Sequence, residues 1–210
     1  RMGLGHIETL TEEGLGRAVR ELCLRDATLG SVVERWGEPP LWSREPGFPT
    51  LVHIILEQQV SLASAKACFD KLVNQVDPLT PQRFLTLNDT ELLRVGFSRQ
   101  KTRYCRILAQ TIVEGSLDLN ALSERPDEIV FRDLTALTGI GAWTVNIYLL
   151  MALGRPNIWP PGDLALIIAM KELFNLDQRP DLETFQKKGE AWKPYRAVAT
   201  RILWHYYLSR

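Results

Sequence analysis

Residues 137–163, LTGIGAWTVNIYLLMALGRPNIWPPGD, decide how the chain is read. Gly139 and Gly141 flank Ile140, and without a Cβ they let the backbone turn sharply and bring its amides close to an outside group. Ile140 can then point inward as an anchor. From Ala142 to Leu153 the sequence predicts a helix whose second half, Ile147–Leu153, is apolar on every face, as a buried helix is. It is far too short to span a membrane. A helix entered through such a turn offers unpaired N–H groups and the positive end of its dipole, which together suit a phosphate. A tight turn between two core helices would carry the same residues, so Gly-Ile-Gly alone leaves both readings open.

The residues that follow separate the two. Pro156, Pro160, Pro161 and Gly162 form a loop with restricted φ, and the loop ends on Asp163, twenty positions past Trp143, at the next helix start. Hairpin, loop and carboxylate together resemble the helix-hairpin-helix DNA glycosylases. In that superfamily a hairpin of the form Leu-x-Gly-Ile/Val-Gly grips the DNA backbone, here Leu137-Thr138-Gly139-Ile140-Gly141. A Gly/Pro-rich loop, here Trp159-Pro160-Pro161-Gly162, delivers the catalytic aspartate, here Asp163. Read without the resemblance, Asp163 is a good helix N-cap before Leu164-Ala165-Leu166. The two roles are compatible, because a helix N-terminus favours an ionised carboxylate.

The resemblance extends to other motifs. Glu57-Gln58-Gln59-Val60-Ser61 matches a helix junction whose side chains enter the minor groove and fill the gap left by a flipped nucleotide. That role falls on Gln58 and Gln59. Gly96 to Lys101 matches a Gly-x-x-x-x-Lys junction, which assigns Lys101 to the DNA backbone, with Gly139, Ile140, Gly141 and Thr144 of the hairpin. The run Trp192-Lys193-Pro194-Tyr195-Arg196 followed by Trp204 resembles the alkylpurine branch, in which an aromatic residue returns to line the base pocket. Trp204 is that residue. Bifunctional members carry a lysine two positions after the second hairpin glycine; here Trp143 stands there, so the chain is expected to leave an abasic site without cutting the strand. Trp143 is expected as a second wall of the pocket, since an electron-rich indole suits a base made cationic by alkylation.

Composition is consistent with this reading without deciding it. The 210 residues are 45% apolar, enough for a sizeable core, and their formal net charge is zero. Distribution says more than the sum: Arg94, Arg99, Lys101, Arg103 and Arg106 are unbroken by any acid, whereas residues 114–133 hold six acids against two arginines. Cys23, Cys68 and Cys105 suggest neither a disulfide framework nor a zinc site. The iron–sulfur cluster of some superfamily members needs four cysteines near the C-terminus, and none follows Cys105, so it is not expected. Nor do His6, His53 and His205 have metal spacing. No cofactor is expected to be required, although the family's hairpin often binds a monovalent cation through backbone carbonyls, here those of Thr135, Leu137 and Ile140.

Helical periodicity predicts about ten helices and essentially no sheet, an all-α fold. Helix starts are read at Thr11, Asp26, Ser61, Thr80-Pro81, the capping-box-like Asn88-Asp89-Thr90-Glu91, Ser98 and Asp163. Residues 1–45 read as a helical elaboration packed on the body and 46–210 as the helix-hairpin-helix glycosylase core that the resemblance implies, with the hairpin at 134–146. The resemblance implies two closely packed helical subdomains with the active site in the cleft between them. Double-stranded DNA with damaged bases is the expected partner, the membrane is not, and a monomer is expected. No secretory signal is evident, which points to an intracellular protein: cytoplasmic or nucleoid-associated in a bacterium, nuclear in a eukaryote. The substrate class implied is alkylated purines such as 3-methyladenine. Two other readings stay open: a glycosylase of the same fold for uracil or an oxidised base, and a non-catalytic DNA-binding protein. The carboxylate at 163 separates the last from the others, because a binding module needs the hairpin and no such aspartate.

Overall fold

A computed structural model describes residues 7–210. Residues 1–6, and with them His6, lie outside the described residues. The described residues form thirteen α-helices and one π-helical turn, with no strand. The excess over ten comes largely from single-turn pieces. The chain divides into two compact units.

One unit comprises the described residues up to Ser43 together with Leu149–Arg210. Helix α1 (Glu12–Arg25) starts where the Thr11 side chain accepts the Gly14 N–H, and buries Leu15, Ala18, Val19 and Leu22. Asp26 ends α1 and caps α2 (Ala27–Trp36), its Oδ1 accepting the N–H groups of Thr28 and Leu29 at 2.9 and 3.3 Å. Its other oxygen accepts the Trp192 indole N–H at 3.0 Å, so one carboxylate serves a helix start and a long-range contact.

The second unit, Arg44–Tyr148, holds the next eight helices. Helix α3 (Phe48–Leu56) is almost wholly buried, α4 (Leu62–Gln75) is capped by Ser61, and α5 (Pro81–Phe84) by Thr80. At α6 (Asp89–Val95) both halves of the Asn88/Glu91 capping box are made. Ser98 caps α7 (Arg99–Val113), and α8 (Leu119–Leu122) is a single turn. Helix α9 (Asp127–Thr135) leads into the hairpin and α10 (Ala142–Ile147) out of it. The helix expected to run to Leu153 instead changes to a π-helical turn over Tyr148–Ala152.

The chain then completes the first unit with α11 (Leu164–Leu173), α12 (Leu182–Glu190) and α13 (Arg196–Ser209). Helix α13 packs on α1, α2 and α11, and Leu22, Leu29, Leu166, Ala169, Val198, Ile202 and Leu203 share one core. The first two helices therefore belong to the core that supports Asp163.

Candidate active site

Asp163 is 7% exposed and is the N-cap of α11, its Oδ1 accepting the Leu166 N–H at 3.0 Å. The same oxygen accepts the indole N–H of Trp204 from α13 at 3.1 Å. An acid so enclosed keeps one orientation, because two donors on different helices aim at one atom. The loop before it is fixed at several points. The Ala197 N–H donates to the Pro156 carbonyl at 3.0 Å, and Arg196 Nε donates to Asn157 Oδ1 at 2.9 Å. Trp159 is buried, stacks on Phe185 with ring centroids 4.4 Å apart, and donates its indole N–H to the Phe185 carbonyl at 2.9 Å. Helix α12 comes this close because Gly189 faces the Trp159 indole, where a Cβ would lie 2.6 Å from Nε1. The Pro/Gly loop thus places its aspartate through packing as well as through restricted φ.

Trp204 is half-buried, and the Trp42 indole meets it edge-on, centroids 6.2 Å apart and planes at 63°. No sequence signal singled out Trp42, a loop residue with a positive φ of 51°. Trp143, the other expected wall, is the second residue of α10 and half-buried; it belongs to the other unit.

In that unit the hairpin is built as its glycines require. Gly139 has φ +87°, and a Cβ there would run into the Tyr104 ring, so any side chain would displace the turn. Gly141 is exposed, and a Cβ there would meet nothing within 4 Å, which leaves the backbone at the start of α10 open to close approach. Ile140 is 3% exposed and is the inward anchor. The Leu137 carbonyl accepts the Ile140 N–H at 3.2 Å. A carbonyl has two lone pairs, so this bond leaves Leu137 able to join Thr135 and Ile140 as an oxygen donor to a hard monovalent cation.

Three residues expected at the DNA have side chains engaged within the protein. Thr144 is 2% exposed, and its Oγ1 accepts a hydrogen bond from Gln58 at 2.9 Å. Its hydroxyl faces inward, while its backbone N–H stays in the first turn of α10. Gln58 Nε2 also donates to the Gly139 carbonyl at 3.0 Å, so this carboxamide ties the junction after α3 to the hairpin. The Lys101 ammonium donates to the Leu56 carbonyl at 2.7 Å and closes the C-terminal end of α3; burial pushes its pKa down. Gln59 differs from these. It is exposed, with a positive φ of 56°. Immediately before the two glutamines, buried Glu57 receives a bidentate pair from Arg44 at 2.8 and 2.9 Å, which fixes the start of the turn.

One unit thus holds a buried, oriented carboxylate, and the other a glycine hairpin beside an exposed glutamine. The family described as HhH-GPD superfamily base excision DNA repair protein matches residues 52–194, and the chain belongs to it. The Bacillus subtilis (strain 168) protein YfjP is 30% identical over 185 residues, 84% of this chain and 64% of YfjP, so the chain spans just under two thirds of that relative. The structure of a DNA-3-methyladenine glycosidase from Bacillus halodurans superposes with a TM-score of 0.78 at 28% identity, covering 91% of this chain and 89% of that one. The Schizosaccharomyces pombe 3-methyladenine DNA glycosylase in complex with abasic DNA gives a TM-score of 0.84 at 24% identity, covering 90% of this chain and 95% of that one, a likeness of fold. Among the described residues no helix is long and apolar enough to cross a membrane.

Proposed function

We propose that the protein is a monofunctional DNA N-glycosylase that flips alkylated purines such as 3-methyladenine out of the duplex and leaves an abasic site. The observation that carries this reading is Asp163, buried at a helix N-terminus with Oδ1 held by the Leu166 and Trp204 N–H groups.

A base inside the duplex is out of reach, so the enzyme must unstack it and pay for the lost stacking with its own contacts. The backbone N–H groups of Gly139 and Gly141 take a phosphate, with Ile140 anchoring the turn between them, and Gln59 enters the vacated stack and hydrogen-bonds the widowed base. Gln58, Thr144 and Lys101 serve from behind, holding the surfaces that touch DNA. The carbonyls of Thr135, Leu137 and Ile140 would hold a monovalent cation that stiffens the turn. As the C1′–N bond breaks, its electron pair leaves with the base and positive charge develops on the sugar. A fixed carboxylate stabilises that charge and orients or deprotonates the water whose oxygen bonds to C1′.

Alkylation makes the base a better leaving group and places positive charge on its ring, so aromatic surface suffices to select it. Trp204 supplies that surface beside Asp163, and Trp143 is the second aromatic assigned to the base. Tryptophan at 143 in place of an amine leaves hydrolysis as the outcome. The test is release of free 3-methyladenine and 7-methylguanine from methylated duplex DNA. Release of uracil from a uracil-containing duplex, with methylated purines untouched, would overturn the substrate class.

A further inference from the structure

We infer that Trp42 is a positioning residue for the catalytic carboxylate: it holds the Trp204 ring in the one orientation that keeps the indole N–H on Asp163. The inference rests on the glycosylase reading for its consequence in catalysis but not for its geometry.

Trp42 lies in the segment between α2 and α3 and carries a φ of +51°. A bulky L-residue rarely adopts such a backbone, and it persists only where the surroundings over-determine it. Those surroundings are visible on both sides. The carbonyl of the preceding residue, Leu41, accepts from Arg201 Nε at 2.8 Å. Arg201 is 1% exposed, and its two terminal nitrogens donate to the carbonyls of Ala197 and Leu150 at 3.0 and 2.9 Å. Burial brings its guanidinium down to about 10, which leaves it charged at neutral pH. A charge taken out of water and spent on three backbone carbonyls is a costly way to fasten a loop, so the position of that loop matters to the fold.

On its other side Trp42 sits astride the Trp204–His205 step of α13. Its ring meets Trp204 at 6.2 Å and 63°, and His205 at 6.4 Å and 60°. His205 is itself held by its Nε2 against the Trp36 carbonyl at 3.0 Å, so the Nε2 tautomer carries the proton there. Trp204 is half-buried, so the core covers its ring only in part, and the Trp42 indole lies against it, restraining a rotation that would take the N–H off Asp163. The order of support runs from Arg201 to Leu41, to Trp42, to Trp204 and so to Asp163.

The test uses the whole chain and two independent readouts. In a 15N–1H correlation spectrum the indole signals of the six tryptophans are counted, and that of Trp204 is identified by its loss in Trp204→Phe. In Trp42→Ala the Trp204 indole proton should move upfield and exchange with solvent faster. The single-turnover rate of base release should fall about tenfold, with affinity for abasic-site DNA held within about twofold. Trp42→Phe, which keeps a ring edge against Trp204, should restore most of both. If the alanine variant does not fold, Trp42→Leu, apolar and without a ring, takes its place. An unmoved Trp204 indole signal overturns the inference, and so does a loss of DNA affinity as large as the loss of rate, which would make Trp42 a direct DNA contact. Should the wild type release no base, the proposed function fails, while the indole signal still decides what Trp42 does.

Discussion

Trp204 donates its indole N–H to Asp163 Oδ1 at 3.1 Å, across 41 positions of sequence. The same oxygen caps α11 through Leu166, so the carboxylate cannot turn without losing a helix cap and a side-chain hydrogen bond together. Trp204 therefore shares in setting the direction of the carboxylate, in addition to the role proposed for its ring.

Asp163→Asn keeps the shape and the ability to cap while removing the charge. Base release should fall by roughly a hundredfold or more, the size seen when a preorganised electrostatic group is removed. Binding to abasic-site DNA should be largely retained. Single-turnover kinetics beside a binding titration measure both, and unchanged turnover would sink the mechanism.

Two substitutions at Trp204 divide its roles. Trp204→Phe keeps an aromatic ring but loses the donor, and should slow excision of all substrates by a similar factor. Trp204→Ala also removes attraction between ring and cationic base, worth roughly 1 to 2 kcal/mol when desolvated. It should therefore lose additional activity on 3-methyladenine and 7-methylguanine relative to hypoxanthine. Comparing the variants on duplexes carrying each base checks this, and equal losses for every base in both would confine Trp204 to the hydrogen bond.

The paired glutamines should behave differently. Gln59→Ala should depress activity on duplex more than on single-stranded substrate, since only the duplex has a partner base to hold. Gln58→Ala takes the donor from the Gly139 carbonyl and the Thr144 hydroxyl, and should lower stability by about 1 to 3 kcal/mol. Chemical denaturation reads the second effect. A Gln58→Ala protein as stable as the wild type would show that this carboxamide does not hold the hairpin.

His53 stacks on Phe69 with centroids 4.5 Å apart and planes at 6°. Burial lowers its pKa below the ordinary histidine value, outweighing Glu57 and Asp70, which raise it, while Arg44 and Lys66 add to the lowering. The unfolded chain then takes up a proton at a higher pH than the folded one. Stability from this residue is complete above the ordinary value of about 6.5 and is lost as the pH falls through the lower, folded value. Melting temperatures from pH 7.5 downward should show that loss, and His53→Phe, which keeps the stacked ring, should flatten it. An identical pH profile in the variant would assign the acid sensitivity elsewhere.

What the sequence determined by itself is local. Thr11, Asp26, Ser61, Asn88, Ser98 and Asp163 were legible as helix starts because each cap closes a hydrogen bond within three residues, a distance at which chain order and space coincide. The hairpin was legible for the same reason, since a left-handed Gly139 and an unobstructed Gly141 are demands of a single turn. That the carboxylate at 163 deserved notice came from its loop and from the family pattern. Only the tertiary structure brought Trp204 to Asp163, Gln58 to Gly139 across 81 positions, and the Lys101 ammonium to Leu56 across 45. It also joined α1 and α2 to one core with α11 and α13. Trp42 had no signal, because a loop tryptophan with positive φ gains its meaning only from Arg201 and α13, some 160 residues away. Residues so far apart meet because helices of fixed length pack their apolar faces into one core, and which polar ends then come within 3 Å of each other is settled by that packing alone.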